Sequence, residues 1–238
     1  MKILSLWSGP RNVSTALMYS FAQRPDTKVI DEPLYAHYLS RTIANHPGEQ
    51  EVLNSMDHDG TRVLNDLQKY STDRDILFLK SMGHHWVDLD EKLLDSMEHL
   101  FLIRDPKEML PSLINQLEEP ALRDTGLKVQ KDLFQVLEKK GKKVPVIDAK
   151  HLLNDPQRIL QKVCDALDIP FYPSMLKWEK GPRPEDGVWA KYWYHRVHQS
   201  EGFTPYESKK EPFPKRLKPL LDECEPYYKF LYQKALKI

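Results

Sequence analysis

Cysteine is scarce in this chain: Cys164 and Cys224 are the two among 238 residues. Each stands in an apolar helical pattern, which is typical of a reduced thiol in a protein core rather than of a disulfide framework or a metal site. We therefore expect neither a disulfide bridge nor a structural zinc ion. Internal repeats, low-complexity tracts and flexible linkers are also lacking, and the length suits a single domain over residues 1–238.

The chain has no net charge, because 35 lysine and arginine residues balance 35 aspartate and glutamate residues. No overall field draws it to nucleic acid or to an anionic membrane, so any anion must be recognised locally. No apolar run approaches the length of a membrane span, and the first run stops at Gly9-Pro10-Arg11, too early for a secretory signal. These features predict a soluble, cytoplasmic protein without a nucleic-acid or membrane partner, and they leave its oligomeric state open.

Short apolar runs alternate with helical patterns along the first 168 residues. The runs predict strands at 3–7, 28–31, 75–80, 100–104 and 144–148, and the helical patterns predict helices at 12–24, 34–45, 59–70, 106–117, 127–140 and 155–168. This alternation is typical of a three-layer α/β/α fold with a central, mainly parallel sheet of about five strands. We expect residues 1–168 to form this α/β core.

Proline and aromatic residues become frequent beyond residue 168. The pattern predicts that residues 169–238 wrap around the core and end in short helices, with Pro219 and Pro226 in first-turn positions of successive helices. The aromatic segment 189–195 is compatible with a wall for a ligand, although core packing is the commoner role of such residues.

The segment between the first predicted strand and the first predicted helix carries the strongest functional signal. Ser8-Gly9-Pro10-Arg11-Asn12-Val13-Ser14-Thr15 leads into a helix N-terminus, whose unpaired N–H groups favour an anion. Arg11 adds a permanently charged, forked donor, and Ser14 and Thr15 add hydroxyl groups in the first turn. The Gly-Lys pair of the nucleotide triphosphate P-loop is missing, and a simple turn capped by Asn12 or Ser14 is the alternative interpretation.

A second anion site is indicated after the fourth predicted strand. Arg104 ends that strand, and Ser112 follows eight residues later on a helix. A guanidinium and a hydroxyl with this spacing can be aimed at one phosphate, whereas the alternative is a surface pair between Arg104 and Asp105. Ligands of parallel sheets gather beyond the carboxyl ends of the strands, so both segments belong to the same end of the sheet.

With these two motifs the sequence resembles the sulfotransferase family, which has a P-loop nucleotide-hydrolase-like fold. Its members transfer a sulfuryl group from 3′-phosphoadenosine-5′-phosphosulfate (PAPS) to a hydroxyl or amine acceptor. The loop 8–15 is similar to the family's 5′-phosphosulfate loop, and Arg104 with Ser112 has the spacing of its 3′-phosphate site. The resemblance further implies that Gly181 and Arg183 close on the 3′-phosphate, that PAPS is the co-substrate without a metal, and that the acceptor is a small molecule or carbohydrate.

The resemblance also implies a general base near the acceptor. Glu32 in Asp31-Glu32-Pro33 is similar to the Glu-Pro element of carbohydrate-acting members, whose carboxylate is the base, so we prefer it to His84 and His85. Cytosolic members instead place a catalytic His two residues after a strand-terminal Lys, whereas three residues separate Lys80 from His84. Arg11 stands where those members have Lys, and it does not readily give up a proton. Lys80 is therefore the expected proton donor to the bridging oxygen, which joins the sulfur to the 5′-phosphate of PAPS.

Two other functions fit the same fold. A metal-dependent nucleotide kinase or hydrolase would hold magnesium at the acidic strand end formed by Asp31 and Glu32, although it would lack the Gly-Lys pair. A non-catalytic nucleotide-binding relative would keep the fold without turnover.

Overall fold

Five parallel strands form the centre of the computed structural model, which describes residues 1–44, 46–70, 72–207 and 211–237. The strands lie in the order β2-β3-β1-β4-β5. Their bounds are β1 (Lys2–Ser8), β2 (Thr27–Asp31), β3 (Ile76–Met82), β4 (Glu98–Ile103) and β5 (Val146–Asp148). The predicted sheet is thereby confirmed, with small shifts at the strand ends.

The described residues form eleven α-helices. Their bounds are α1 (Ser14–Ala22), α2 (Tyr35–Arg41), α3 (Glu49–Ser55), α4 (Gly60–Gln68), α5 (Pro106–Leu113), α6 (Leu122–Thr125), α7 (Leu127–Lys139), α8 (Ala149–Asn154), α9 (Pro156–Ala166), α10 (Ala190–Trp193) and α11 (Lys218–Gln233). The six predicted core helices correspond to α1, α2, α4, α5, α7 and α9. The helices α3, α6, α8 and α10 were not predicted, because each has seven residues or fewer and is too short to show a helical period.

The C-terminal helix α11 corrects one prediction. Pro219 lies in its first turn, as expected, but Pro226 lies inside the helix instead of starting a second one. A proline at an interior position removes one backbone hydrogen bond of the helix. The helix continues across it because Leu221, Cys224 and Leu231 are buried against the rest of the protein on both sides of this position.

The core lies on both faces of the sheet, because successive side chains of a strand point in opposite directions. On one face, Leu4 and Leu6 of β1 pack with α1, α8 and α9, and the free thiol of Cys164 belongs to this cluster. On the other face, Ile3 and Trp7 pack with α7 and α11. This packing confirms the three-layer α/β/α arrangement.

The segment beyond α9 packs against the core at several places. Trp189 and Tyr194 join Tyr35 and Tyr38 of α2 in an aromatic cluster, and Leu217 with other residues covers α5. The aromatic segment 189–195 therefore contributes to packing, as its composition suggests. The assignment of residues 1–238 to one domain stays a prediction. Among the described residues, no helix combines the length and apolar character that crossing a membrane requires.

Gly9 allows two backbone segments to approach each other closely. A Cβ atom at this position would lie 2.3 Å from the carbonyl oxygen of Thr125. This oxygen belongs to the backbone, so it could move away only if the chain around Thr125 shifted. We expect Gly9→Ala to lower the free energy of unfolding by about 3 kcal/mol, the upper end for overpacking, as measured by urea denaturation.

A second glycine variant separates this steric effect from backbone strain. In Gly141→Ala the new Cβ meets no atom within 4 Å, and only the left-handed φ of 72° is unfavourable. We expect this variant to lower the free energy of unfolding by about 1 kcal/mol. If both variants lost the same free energy of unfolding, the close approach to Thr125 would not be the reason why residue 9 is glycine.

Candidate functional site

The loop between β1 and α1 has an unusual backbone. Arg11 and Val13 lie in the left-handed region, with φ of 58° and 60°, although neither is glycine. Each such residue costs on the order of 1–2 kcal/mol, so the surrounding structure must hold it in place. Left-handed residues that alternate with ordinary ones turn successive N–H groups to one side, which is the backbone geometry of an anion cradle. The N-terminus of α1 follows directly.

Hydrogen bonds from two buried side chains to backbone carbonyl groups hold this loop in place. The Nδ2 atom of Asn12 donates to the carbonyl of Leu102 at 3.2 Å, and the Oγ atom of Ser8 donates to the carbonyl of Gly9 at 3.0 Å. Both side chains are buried. Ser8 and Gly9 thus support the shape of the loop, and their contact with a ligand stays a prediction.

A cleft of about 1060 Å³ opens above the loop at the carboxyl ends of the strands. It is lined by most of the predicted site residues, namely Pro10, Arg11, Asn12, Val13, Ser14, Thr15, Glu32, Lys80, His84, His85, Arg104 and Ser112. The structure does not bring Gly181 and Arg183 to it. The N–H of Gly181 donates to the carbonyl of His198, and the Arg183 guanidinium lies 5.4 Å from the ring centre of Tyr19. Their binding role stays a prediction that this geometry does not support.

Arg11 connects the two anion sites predicted from the sequence. Its carbonyl accepts a hydrogen bond from Arg104 at 2.8 Å, and its Nε atom donates to the Oγ atom of Ser112 at 3.1 Å. Arg196, which the sequence did not single out, also lines the cleft, and its charge acts on both other guanidinium groups. The two motifs therefore face one shared space.

The three arginines form no ion pair among the residues that the structure describes. Among the residues that the structure describes, none of them lies within 4.0 Å of a carboxylate oxygen. Burial, followed by the charges of Arg196 and Arg104, lowers the pKa of Arg11. Arg11 and Arg104 are half-buried, Arg196 is exposed, and the charge of Glu108 acts on Arg104 with the opposite sign. The repulsion among the three guanidinium groups is unfavourable, and a bound anion would relieve it. This side of the cleft suits a ligand with several negative charges.

The ends of β2 and β3 hold a buried charged cluster centred on Lys80. Its Nζ atom donates to Oδ1 of Asp31 at 2.9 Å, to Oε1 of Glu32 at 2.5 Å and to the Tyr194 hydroxyl at 2.6 Å. That hydroxyl lies 2.8 Å from Oδ2 of Asp31 and accepts from the Trp189 indole at 3.0 Å. All three donors of the ammonium group are used. Lys80 therefore has no free N–H for the bridging oxygen, the role predicted from the sequence.

Two carboxylates face one ammonium group in this cluster. Burial raises the pKa of Glu32, and the charge of Asp31 adds to this effect, whereas Lys80 opposes it. For Lys80, burial alone would lower the pKa, but the two carboxylates outweigh it and the pKa is raised. Glu32 is therefore a stronger base than an ordinary glutamate, held in place by a lysine that stays charged.

The backbone of Glu32 is itself strained. Its φ is 40°, in the left-handed region. Two backbone hydrogen bonds hold this conformation: the N–H of Glu32 donates to the carbonyl of Lys80 at 2.8 Å, and its own carbonyl accepts from the N–H of Tyr35 at 3.0 Å. Strain that the surroundings maintain at one polar residue is frequent at functional sites.

His84 and His85 follow β3 in a short 3-10 helix, Gly83–His85, and line the same part of the cleft. Burial, followed by the neighbouring His46, lowers the pKa of His84 to about 3, and burial lowers that of His85 well below its ordinary value. Both rings are therefore uncharged and weak bases at neutral pH. The carboxylate of Glu32 is the stronger base of the three candidates.

Three residues of the site escaped the sequence reasoning. Asp31 stood next to Glu32 and was considered as a magnesium ligand or as a cap of the helix near residue 34, although its strand ends beside that of Lys80. Tyr194 lay in a segment that reads mainly as packing, and Arg196 had no motif around it. The available signal for Asp31 was that it ends a predicted strand, as Lys80 does. The sequence offered no signal for the other two.

Comparison with known proteins identifies a family. The sequence model of the sulfotransferase domain family matches residues 1–235. Branched-chain-amino-acid aminotransferase-like protein 2 of Arabidopsis thaliana is 39% identical over 232 residues, which make up 97% of this chain and 41% of that protein. The chain thus spans about two fifths of the length of the curated relatives that it matches.

Solved structures agree with the fold. The sulfotransferase domain of an olefin synthase from Synechococcus superposes with a TM-score of 0.56 at 17% identity, covering 94% of both chains. A sulfotransferase from Alicyclobacillus acidocaldarius gives a TM-score of 0.57 at 12% identity, covering 99% of this chain and 97% of that one. At these identities the likeness shows the fold alone.

Proposed function

The chain belongs to the sulfotransferase domain family, and we propose that it transfers a sulfuryl group from PAPS to the hydroxyl or amine of a small-molecule or carbohydrate acceptor. The contact of Arg11 with both Arg104 and Ser112 carries this proposal. A donor with phosphate groups at two ends needs two anion sites in one cleft, and this contact is what joins them.

The residues of the cleft fit such a donor. Residues 10–15 and Arg11 would hold the 5′-phosphosulfate, because the loop has the backbone of an anion cradle. Arg104 and Ser112 would hold the 3′-phosphate, and Arg196 would add charge between the two sites. Among the described residues these guanidinium groups have no ion-pair partner, and a ligand of this charge would supply one, which supports the assignment.

Glu32 would act as the general base. Its carboxylate takes the proton of the acceptor while the acceptor atom forms a bond to sulfur and the bond from sulfur to the phosphate oxygen breaks. Arg11 and the N–H groups of the loop stabilise the charge that develops on the leaving phosphate, which departs as an anion and needs no proton. Lys80 holds Glu32 in position through its short hydrogen bond instead of donating to the bridging oxygen.

The kinase or hydrolase alternative is less well supported by this geometry. Its magnesium would require the carboxylates of Asp31 and Glu32, and both are hydrogen-bonded to Lys80. A non-catalytic relative would bind the same nucleotide, and turnover with labelled PAPS distinguishes it from an enzyme.

Ligand-induced stabilisation tests the proposal. We expect adenosine 3′,5′-bisphosphate to raise the melting temperature, and ATP with magnesium to leave it unchanged. In Arg104→Ala the affinity for the bisphosphate should fall about 30-fold, because the loss of a charge-assisted contact costs about 2 kcal/mol. Arg158→Ala, an exposed arginine of α9, is the matched control and should bind like the wild type. Stabilisation by ATP with magnesium alone would overturn the proposal.

A further inference from the structure

The hydroxyl group of Tyr194 is the third partner of the Lys80 ammonium group, and its own capacity for hydrogen bonds is fully used. It accepts from Nζ of Lys80 at 2.6 Å and from the indole Nε1 of Trp189 at 3.0 Å. It donates to Oδ2 of Asp31 at 2.8 Å. A hydroxyl oxygen has one proton to donate and two lone pairs to accept with, so these three contacts fix its orientation.

Tyr194 itself does not take up or release a proton in this cluster. Burial, followed by the charges of Asp31 and Glu32, raises the pKa of Tyr194 well above its ordinary value. The side chain is buried, and it keeps its proton at neutral pH. Its hydroxyl group therefore acts as a neutral partner of the charged groups around it.

The two carboxylate oxygens of Glu32 have different surroundings. Oε1 accepts from Lys80 at 2.5 Å, and the Tyr194 hydroxyl lies 3.4 Å from the same oxygen. Oε2 makes no hydrogen bond within the described part of the chain, and it is not one of the fully buried polar atoms there. Because Glu32 lines the cleft, Oε2 is the oxygen that an acceptor can reach.

The Tyr194 hydroxyl decides where the Lys80 ammonium group points. An ammonium group has three N–H donors, and a buried donor without an acceptor is unfavourable. Asp31 and Oε1 of Glu32 take two of these donors, and Tyr194 takes the third. Without the hydroxyl group, the third N–H would have to turn to an oxygen with a free lone pair. Oε2 of Glu32 is such an oxygen, on a carboxylate that Lys80 already binds.

We propose that Tyr194 is a positioning residue for the base: by accepting the third N–H of Lys80, it keeps Lys80 on Oε1 of Glu32 and leaves Oε2 to receive the acceptor's proton. This inference rests on the proposed function, because it concerns the transfer step. In that step the acceptor atom gives its proton to Oε2 and forms its bond to sulfur. The bond from sulfur to the phosphate oxygen breaks, and its electron pair leaves with the phosphate.

The Tyr194→Phe variant tests the inference, because it removes the hydroxyl group and keeps the ring. Two effects on Glu32 then oppose each other. Loss of the 3.4 Å contact with the hydroxyl raises the pKa of Glu32, whereas a new hydrogen bond from Lys80 to Oε2 lowers it. The second effect should be larger, since a hydrogen bond between two charged groups is about twice as strong as a neutral one. We therefore expect a lower pKa of Glu32 in the variant than in the wild type.

An NMR titration measures this pKa without any acceptor. The protein carries an isotope label at the glutamate carboxyl carbons, and the Glu32 signal is assigned by its loss in Glu32→Gln. Besides Tyr194, the titratable groups around Glu32 and behind the Tyr194 ring are Asp31, Lys80, Tyr35, His85 and His198. Burial raises the pKa of Tyr35 and lowers that of His85 well below its ordinary value, so neither changes charge near neutral pH.

Transfer should fall when Lys80 occupies the oxygen that takes the proton. The assay uses labelled PAPS with 4-methylphenol, benzyl alcohol, benzylamine and N-acetylglucosamine. For each of these that the wild type uses, we expect kcat of Tyr194→Phe to be about 10- to 100-fold lower, as for one hydrogen bond to a charged group. KM for PAPS and the affinity for adenosine 3′,5′-bisphosphate should stay unchanged.

Two further variants tie these effects to the Tyr194 hydroxyl. Tyr192→Phe is the matched control, because its hydroxyl donates to the exposed Glu51 and the residue does not line the cleft. It should leave both kcat and the pKa of Glu32 unchanged. Trp189→Phe removes the indole N–H and keeps the Tyr194 hydroxyl, so Lys80 retains its third partner and the pKa of Glu32 should stay at the wild-type value.

The possible failures are distinct. An unchanged or raised pKa of Glu32 in Tyr194→Phe, or an equal fall in Trp189→Phe, overturns the inference and leaves the proposed function standing. A Tyr194→Phe protein that no longer binds the bisphosphate also overturns it, because the hydroxyl group would then support the fold and not the base. If the wild type neither binds the bisphosphate nor transfers label to any acceptor, the proposed function itself fails and the inference falls with it.

Discussion

The Glu32→Gln variant is expected to lose transfer by about 10²- to 10⁴-fold, the usual contribution of a positioned general base. Its affinity for adenosine 3′,5′-bisphosphate should stay unchanged, because the Glu32 carboxylate contacts Lys80 and Tyr194 and neither Arg104 nor Ser112. The amide oxygen of glutamine can still accept a hydrogen bond from Lys80. The variant should therefore fold normally and fail in the chemical step. Single-turnover transfer of labelled sulfate, together with bisphosphate titration, measures both quantities.

The pH dependence of the wild type gives an independent measure of the same residue. Transfer should fall as the pH is lowered and the carboxyl group takes up a proton. Because burial and the charge of Asp31 raise the pKa of Glu32, this fall should be centred above the ordinary glutamate value of 4.5. Asp31→Asn removes the second contribution, so the acid limb should move to lower pH in that variant.

Control variants decide between the candidate bases. Glu119→Gln changes an exposed glutamate outside the cleft and should leave transfer unaltered. If Glu32→Gln turned over at the wild-type rate, the base would have to be assigned to His84 or His85.

The parts of the site that sequence could predict are those that are local in the chain. Loop 8–15 joins a strand to a helix directly, and the eight-residue spacing from Arg104 to Ser112 lies within one strand end and one helix. For parallel strands, the rule that ligands bind at the carboxyl ends then places both motifs at one edge. The hydrogen bonds of Arg11 to both motifs agree with that reasoning.

The parts that sequence did not reveal depend on contacts between distant segments. The Tyr194 hydroxyl meets Lys80 across 114 positions of sequence, and no local pattern marks that contact. Lys80 likewise looked free to donate, because only the fold brings three acceptors to its ammonium group. The continuation of α11 through Pro226 has the same origin, since tertiary packing of its apolar face outweighs a missing backbone bond.

Lys80→Met is expected to be the most destabilising of the variants considered. Methionine has a similar volume but no charge, so Asp31 and Glu32 would be left buried without their cation. Breaking a buried ion pair by removing one partner typically costs about 3–5 kcal/mol. Urea denaturation at pH 7 measures this loss. Lys28→Met, which changes an exposed lysine on the adjacent strand β2, is the matched control and should alter stability by less than about 0.5 kcal/mol.

The loss should depend on pH with a definite sign. Without Lys80 nothing opposes the burial that raises the pKa of Glu32, so at this residue the folded protein binds more protons than the unfolded chain. Stability of the variant then falls as the pH increases, and its deficit should be larger at pH 8 than at pH 5. Adding Asp31→Asn removes one of the two uncompensated charges and should restore part of the stability at pH 8. A deficit that is the same at both pH values would mean that Lys80 contributes through packing alone, and that a charge-stabilised carboxylate is not what the ends of β2 and β3 provide.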